Sequence, residues 1–225
     1  MTETRTYFHD QLRHVKSDVV RLAALAGESI PRSTEALLTA DHDALARLRV
    51  DDGHIDRLAA AIESDGCRLL ALQQPVAGDL RALVTALRLA YELERIGDLM
   101  VDVASTIDGP RREIDGRARG LVEQLGELTH ALLRGAIDAY VDGEEAAGAR
   151  LRPILQEVVE VHHRLLEHLL SSARDGGLDV DAAVQFALVG RCFERAADHA
   201  FNVVRRVHYL VAGSEPGTQR GVTIG

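Results

Sequence analysis

Aromatic residues and cysteines are scarce in this sequence, and each shortage excludes a class of protein. Aromatic residues make up 4% of the 225 residues, and Trp is absent. A chain rich in Ala and Leu, without long alternating runs of β-branched residues, favours helices over strands. Two cysteines cannot form a disulfide framework, so we expect a reducing, cytoplasmic setting.

The sequence also lacks a signal core, a membrane span and a basic character. Its first residues, MTETRTYFHDQLRH, contain no apolar core, and no run approaches the roughly 20 apolar residues of a membrane helix. The net charge of −9 argues against recognition of a nucleic-acid backbone, which needs a basic face. We therefore expect no nucleic-acid partner.

One stretch of the sequence occurs twice. LAYELERIGDLMVDVASTI, residues 89–107, keeps its charge and apolar pattern one hundred positions later in VGRCFERAADHAFNVVRRV, residues 189–207. Apolar residues recur at three- and four-residue steps in both copies, which predicts two core-facing helices. A repeat of this period favours two fused copies of about a hundred residues each.

The apolar spacing predicts three helices in each copy. Helices of roughly 30 residues joined by short loops pack as antiparallel bundles. The sequence thus predicts an all-α fold of two tandem three-helix bundles, with a first bundle over 1–110, a second over 111–212 and a disordered tail over 213–225.

Several residues predict where helices begin or break. We expect Asp41, Asp79 and Asp179 to cap the second, third and sixth helices. The run Asp142-Gly-Glu-Glu145 has the spacing of a capping box for the fifth helix. Pro31 and Pro153 are expected to kink or interrupt the helices that contain them.

Paired acids lie beside the apolar seam of the repeated helix. Glu94 and Asp98 are four residues apart, so their carboxylates project in one direction and repel by a few tenths of a kcal/mol. A solvated face near Arg95 could accommodate them. The alternative is a hard cation shared between carboxylates, and a second pair on the preceding helix, Asp52 and Asp56, favours it.

The second copy has a less complete acid set. Glu194 and Asp198 match the pair of the first copy, but the facing helix offers either Gln156 and Glu160 or Leu155 and Val159, depending on a one-residue register. One turn further on, Asp102 and Asn202 could add oxygen ligands to the two sites.

Two other classes of function stay open. Glu127 with His130, and Glu160 with His163, have the Glu-x-x-His spacing of ferritin-like di-iron bundles, which would make the protein an oxidase. We favour solvated helix faces for both pairs, since neither has an equivalent in the first copy. A helical adaptor without metal is the third class.

The run LLALQQPVAGDLRALVTALRLAYELERIGD, residues 69–98, resembles the signature of the PhoU/PhoY family of phosphate-uptake regulators. FERAADHAFNV, residues 193–203, is similar to the same motif, and the resemblance extends from about Tyr7 to Val211. It implies two fused three-helix bundles that carry metal clusters on paired E(D)xxxD motifs.

The resemblance also implies a function and its residues. The function is cytoplasmic negative regulation of phosphate uptake and phosphate-starvation signalling, without catalysis, by a homodimeric scaffold that contacts a phosphate ABC transporter ATPase and a sensor histidine kinase. The metal would be iron, manganese, magnesium or zinc. The metal ligands that match the motif are Asp52, Asp56, Glu94, Asp98, Glu194 and Asp198, with Asp102, Glu160 and Asn202 as weaker candidates.

Overall fold

The computed structural model describes residues 2–73, 75–109 and 113–214. Six helices account for almost all of them, and these ranges contain no strand. In chain order the helices are α1 (Thr2–Thr39), α2 (His42–Gln73), α3 (Ala77–Ser105), α4 (Gly116–Asp142), α5 (Ala147–Arg174) and α6 (Val180–Ala212), and a short 3-10 turn, Thr106–Asp108, follows α3. The all-α fold with three helices in each half is confirmed.

Four helices form the centre of the molecule. Helices α1, α3, α6 and α4 each pack against two of the others, while α2 packs outside against α1 and α3, and α5 against α4 and α6. The α3 and α6 helices run antiparallel, because Gln185 near the start of α6 donates to the carbonyl of Thr106 beyond the end of α3 at 2.8 Å. We call α1–α3 the first bundle and α4–α6 the second bundle.

The apolar seams of the repeated helix are buried as the spacing predicts. One buried cluster extends through both bundles, so the halves share a core. Its members on the two central helices include Leu89, Leu93, Ile96, Met100 and Val103 of α3 and Val189, Phe193, Ala196, Ala200 and Val203 of α6.

Two of the three predicted N-caps are confirmed and one is wrong. The Asp41 carboxylate accepts from the Ala44 amide at 2.9 Å, and the Asp179 carboxylate accepts from Ala182 at 3.2 Å. Asp79 lies within the first turn of α3, whose N-cap is Val76.

The predicted capping box does not form. Gly143, in the left-handed conformation with φ of 66°, ends α4 directly after Asp142. Helix α5 then begins after Ala146, which has no side chain able to cap it. Pro31 and Pro153 lie inside α1 and α5, and neither interrupts its helix.

The predicted tail begins where α6 ends. Gly213 adopts the left-handed conformation that terminates α6. Residues 215–225, most of that tail, lie outside the described part of the chain. None of the helices in the described ranges combines the length and the apolar character needed to cross a membrane.

Candidate metal centre

The antiparallel packing of α2 on α3 brings acids from both helices together. One carboxylate oxygen from each of Asp52, Asp56 and Asp98 lies within 4.8 Å of the others. Among the described residues this is the only group of three or more metal-ligating side chains with such spacing. We call Asp52, Asp56, Glu94 and Asp98 the acid cluster.

A glycine permits the close approach of the two helices. A Cβ atom at Gly97 would lie 3.0 Å from Asp52 Oδ1 and 3.1 Å from Ile55 Cδ1. A side chain at Gly97 would force Asp52 and Ile55 to shift by a few tenths of an ångström, so its absence leaves room for the Asp52 carboxylate between the helices. The sequence ERIGD therefore supplies both the acids and the space beside them.

The environment of Asp52 disfavours its charge. Burial raises the pKa of Asp52 from 3.8 to about 6, helped by the negative charges of Asp56, Asp98, Glu94 and Asp102. Its Oδ1 atom is buried and has no hydrogen-bond partner in the described structure. An ionised carboxylate in this place needs a positive charge that the neighbouring side chains do not supply.

Arg95 offsets part of the negative charge. Its Nη1 atom donates to Asp98 at 2.7 Å, and its Nε atom lies 3.7 Å from Glu94. Even so, burial and the neighbouring acids keep the pKa of both Glu94 and Asp98 above their ordinary values. One guanidinium therefore does not balance the four acids of the cluster.

The acid cluster opens onto a surface cleft. Besides Asp52 and Asp98, the side chains of Asp102 and Arg195 line this cleft, so α6 of the second bundle contributes to its wall. Asp102 adds to the negative field that raises the pKa of Asp52 and Asp98. Asp102 thus lies at the edge of the cluster, and its role as a ligand stays a prediction.

The equivalent acids of the second bundle have different partners. Glu194 accepts from Arg191, and its Oε2 atom lies 3.0 Å from Nδ1 of His162 on α5. The His162 side chain is only 7% exposed, and burial lowers its pKa. Burial also raises the pKa of Asp198, with Glu194 adding to the effect.

Burial decides the register that the sequence left open. The buried positions of α2 recur 103 positions later in α5: Leu48, Ile55 and Ile62 correspond to Leu151, Val158 and Leu165. Asp52 and Asp56 then correspond to Leu155 and Val159, whereas Gln156 and Glu160 are exposed. The second bundle thus lacks the second pair of acids.

The weaker candidate Asn202 has another partner. Its side-chain amide donates to Glu92 Oε2 at 3.2 Å, and His199 Nδ1 lies 2.7 Å from the same oxygen. Glu92 is buried, 5% exposed, where α3 meets α6. The two α6 side chains therefore satisfy a buried acid between the bundles.

The residues of the di-iron alternative do not converge. Glu127, Glu160 and His163 are exposed, and none belongs to a group with metal-ligand spacing in the described ranges. Glu127 and His130 line a groove between α1 and α4, away from α5. The geometry does not support a di-iron oxidase.

Sequence reasoning missed His162 and Glu92 as partners of the repeated motif. Each is a single polar residue on the apolar side of its helix and belongs to no repeated motif. A signal did exist: both interrupt the apolar spacing of helices whose other seam positions are hydrophobic.

The fold and the acid cluster define a class of protein: a helical molecule of two like three-helix units, with paired acids between two helices of the first unit. Comparison with known proteins gives the family. The family model described as PhoU domain matches residues 19–107 and again 122–207. The chain belongs to the PhoU family.

Named relatives and solved structures agree with this assignment. The phosphate-specific transport system accessory protein PhoU homolog 1 of Mycobacterium leprae is 34% identical over 214 residues, covering 94% of this chain and 96% of the relative. PhoU homolog 2 of Mycobacterium bovis is 32% identical, covering 94% of this chain and all of the relative.

The similarity extends to the fold. The crystal structure of PhoU from Pseudomonas aeruginosa has a TM-score of 0.83 at 25% identity and covers 92% of this chain and 100% of its own. The regulatory protein PhoU from Streptococcus pneumoniae has a TM-score of 0.84 at 22% identity, covering 93% and 99%.

Proposed function

We propose that the protein is a cytoplasmic negative regulator of phosphate uptake and of phosphate-starvation signalling. Its support is membership of the PhoU family and the name of its relatives, which are accessory proteins of a phosphate-specific transport system. The role needs no catalytic step. It requires surfaces that bind a phosphate ABC transporter ATPase and a sensor histidine kinase.

The second part of the proposal is a metal in the first bundle. The observation that carries it is the acid cluster, in which oxygens of Asp52, Asp56 and Asp98 lie within 4.8 Å of one another. An all-oxygen donor set suits hard cations such as magnesium, manganese or iron, and zinc also binds carboxylates. We expect Glu94 and Asp102, whose negative charges act on Asp52, to supply further oxygen ligands.

The residues present fit such a cation. The unpartnered Oδ1 atom of Asp52 and the raised pKa of Glu94 and Asp98 indicate negative charge without enough compensation. A bound cation would supply that compensation and tie α2 to α3. In this scaffold the metal has a structural task, and the outer surfaces bind the partner proteins.

Elemental analysis tests the metal. Protein purified without chelator should carry iron, manganese, magnesium or zinc, and the double substitution Asp52→Asn with Asp56→Asn should remove it. The matched control is Glu194→Gln with Asp198→Asn in the second bundle, which should leave the metal content unchanged. Wild-type protein without metal, in the presence of each of the four ions, would contradict the proposal.

Genetics and affinity capture test the regulatory role. Deletion of the gene should raise phosphate uptake and the transcription of phosphate-regulated genes in phosphate-rich medium. Capture of the tagged protein from cells at high and low phosphate should recover the transporter ATPase and the histidine kinase. Unchanged uptake and transcription in the deletion strain would refute the regulatory role and would leave the metal proposal unaffected.

We also propose that the protein acts as a homodimer, and light scattering during size-exclusion chromatography measures its mass directly.

The metal-free helical adaptor is the alternative outcome of the metal and capture experiments. It is supported if the double substitution at Asp52 and Asp56 leaves both partner capture and the thermal transition unchanged.

A further inference from the structure

A basic pocket lies in the second bundle, between the start of α5 and the last turns of α6. Its volume is about 600 Å³, and it opens to solvent. Phe201 and Val204 form an apolar floor, while Arg152, Arg205 and His208 provide positive or ionisable groups around it. We call Arg152, Arg205 and His208 the basic triad.

The two arginines of the triad have no acidic partner. The Arg152 guanidinium lies over the Phe201 ring, 5.2 Å from its centroid. In the described part of the chain neither Arg152 nor Arg205 forms a hydrogen bond or an ion pair with another side chain.

One acid lies at the edge of the pocket. The Glu145 carboxylate is 3.9 Å from His208 Nδ1, and the same nitrogen lies 3.4 Å from the Glu145 carbonyl oxygen. Glu145 therefore faces the histidine and leaves the two guanidinium groups uncompensated. Nearby Arg150 is paired with Glu144 at 2.6 Å and takes no part in the pocket lining.

At the equivalent positions of the first bundle, the positive charge of the arginine is neutralised. By the repeat offsets, Arg49, Ser105 and Asp108 correspond to Arg152, Arg205 and His208. In the first bundle, Arg49 Nη2 donates to Asp108 Oδ2 at 2.5 Å and to Ser105 Oγ at 3.1 Å. The arginine there is satisfied by a carboxylate from the same chain.

The second bundle keeps the arginine and loses its carboxylate. His208 stands where the first bundle has Asp108, and Arg205 adds a second guanidinium where Ser105 stands. Arginine binds carboxylates and phosphates through paired hydrogen bonds, and two arginines with a histidine favour an anion of more than one charge. The place of the missing carboxylate is thus suited to an external oxyanion.

We propose that the basic triad binds a phosphate group, either as free inorganic phosphate or as a monoester on a small organic molecule. The apolar floor and the pocket volume leave room for an organic body beside the phosphate. The site lies in the second bundle and uses none of the acid cluster. The proposal therefore stands independently of the metal and of the regulatory role.

Calorimetric titration of the full-length protein tests this site, first with inorganic phosphate and then with AMP as a monoester. Chelator-treated protein is used, so that phosphate cannot bind through a metal. We expect the wild type to bind at least one of the two, and Arg152→Gln or Arg205→Gln to weaken binding about tenfold or more. Arg49→Gln, the equivalent change in the first bundle, should leave binding unchanged.

A restoring substitution gives a second, sharper measurement. His208→Asp recreates the carboxylate of the first bundle, so Arg152 gains an internal partner and phosphate binding should be lost. Circular dichroism of each variant checks that it is folded. Binding of only one titrant supports the site and identifies the source of the phosphate group. Absence of binding to both, or binding that Arg152→Gln and His208→Asp leave intact, overturns the proposal.

Discussion

The groove between α2 and α3 and its counterpart between α5 and α6 have equivalent apolar floors and different charges. Ile55 and Val158 are buried at matching positions, as are Ile62 and Leu165. At the rims, the first groove brings Asp52, Asp56 and Asp98 together beside Arg95, whereas in the second groove Glu194 pairs with Arg191 and lies 3.0 Å from His162. At one end of the second groove lies the basic triad, at the positions where the first groove has the ion pair between Arg49 and Asp108.

This contrast shows how one helical scaffold can carry two different arrangements of charge. Floor positions face other helices, so they must stay apolar and of similar volume. Rim positions touch solvent on one side, so residues of different charge can occupy them. We infer that the two bundles differ in ligand chemistry while sharing one architecture, and four variants test that difference, from the largest expected effect to the smallest.

The largest effect concerns a buried acid that only the first bundle supplies. Glu92 corresponds to Cys192, and it relies on His199 at 2.7 Å and Asn202 at 3.2 Å. His199→Ala leaves a buried carboxylate without its main partner, so we expect the free energy of unfolding to fall by about 3 kcal/mol. Urea denaturation followed by circular dichroism measures it.

Glu92→Gln is the matched control for this prediction. The amide keeps an acceptor oxygen for Asn202 and removes the charge, so it should cost clearly less than His199→Ala. An equal or larger loss for Glu92→Gln would show that the charge of Glu92 itself stabilises the contact between the bundles.

The second variant converts the second bundle into a copy of the first. Leu155→Asp with Val159→Asp places two acids opposite Glu194 and Asp198, at the positions equivalent to Asp52 and Asp56. Without metal we expect a loss of about 2 kcal/mol in stability, because two more carboxylates join a half-buried acidic surface. Added manganese should restore stability and raise the metal bound per chain.

Elemental analysis and thermal melts with and without manganese distinguish the two effects of this variant. If the doubly substituted protein is destabilised and gains no metal, then His162 and Arg191 prevent the second groove from forming a cation site. That result would mean that the number of acids alone does not explain why the two bundles differ in metal binding.

The third variant uses the pKa of Asp52, which is raised from 3.8 to about 6. The metal-free folded protein therefore holds this proton more tightly than the unfolded chain does. The resulting contribution to stability is complete below the unfolded pKa, near pH 4, and is lost as the pH rises through about 6. Asp52→Asn removes the charge, so at about pH 7 the metal-free variant should be more stable than the wild type by ~1 kcal/mol, allowing for solvent screening.

Thermal melts of chelator-treated protein between acidic and neutral pH test this expectation. The gain from Asp52→Asn should vanish near pH 4, where the wild-type carboxyl is already protonated. Glu63→Gln, at an exposed acid of the same helix, is the control and should show no such pH dependence. With metal bound, Asp52→Asn should instead destabilise the protein.

The smallest effect concerns the equivalent arginines Arg49 and Arg152. The Arg49–Asp108 pair is half exposed, so Arg49→Gln should cost about 0.5 kcal/mol at low salt and less at high salt. Arg152→Gln removes no ion pair and loses only the stacking of the guanidinium on Phe201, so its cost should not fall at high salt as that of Arg49→Gln does. Parallel denaturation curves at two salt concentrations check both, and an equal salt dependence would mean that the two arginines differ less than their partners suggest.

The helical architecture and the acids of the first bundle could be predicted from sequence, because both depend on local spacing. The seam from Leu89 to Val103 and the four-residue steps of Asp52–Asp56 and Glu94–Asp98 are periodic signals. The caps were harder. Asp79 has the right residue type but lies inside the helix, since Val76 already has the extended backbone of an N-cap.

The pairing between helices could not be predicted, because it depends on a register that a single sequence does not contain. A shift of one residue separates Leu155 from Gln156, and only the burial of Leu151, Val158 and Leu165 decides between them. The partners of Glu92 and Glu194 come from other helices, so no local pattern reveals them. The basic triad joins residues of α5 and α6 for the same reason.

The packing of α3 on α6 also bears on how the chain folds. Contacts within each bundle join helices of the same half of the chain, but Glu92 meets His199 across 107 positions of sequence. Such long-range contacts form late, because a long loop must close before they stabilise anything. Since one buried cluster passes through both bundles, neither has a complete core of its own, and we expect the chain to unfold in a single cooperative transition.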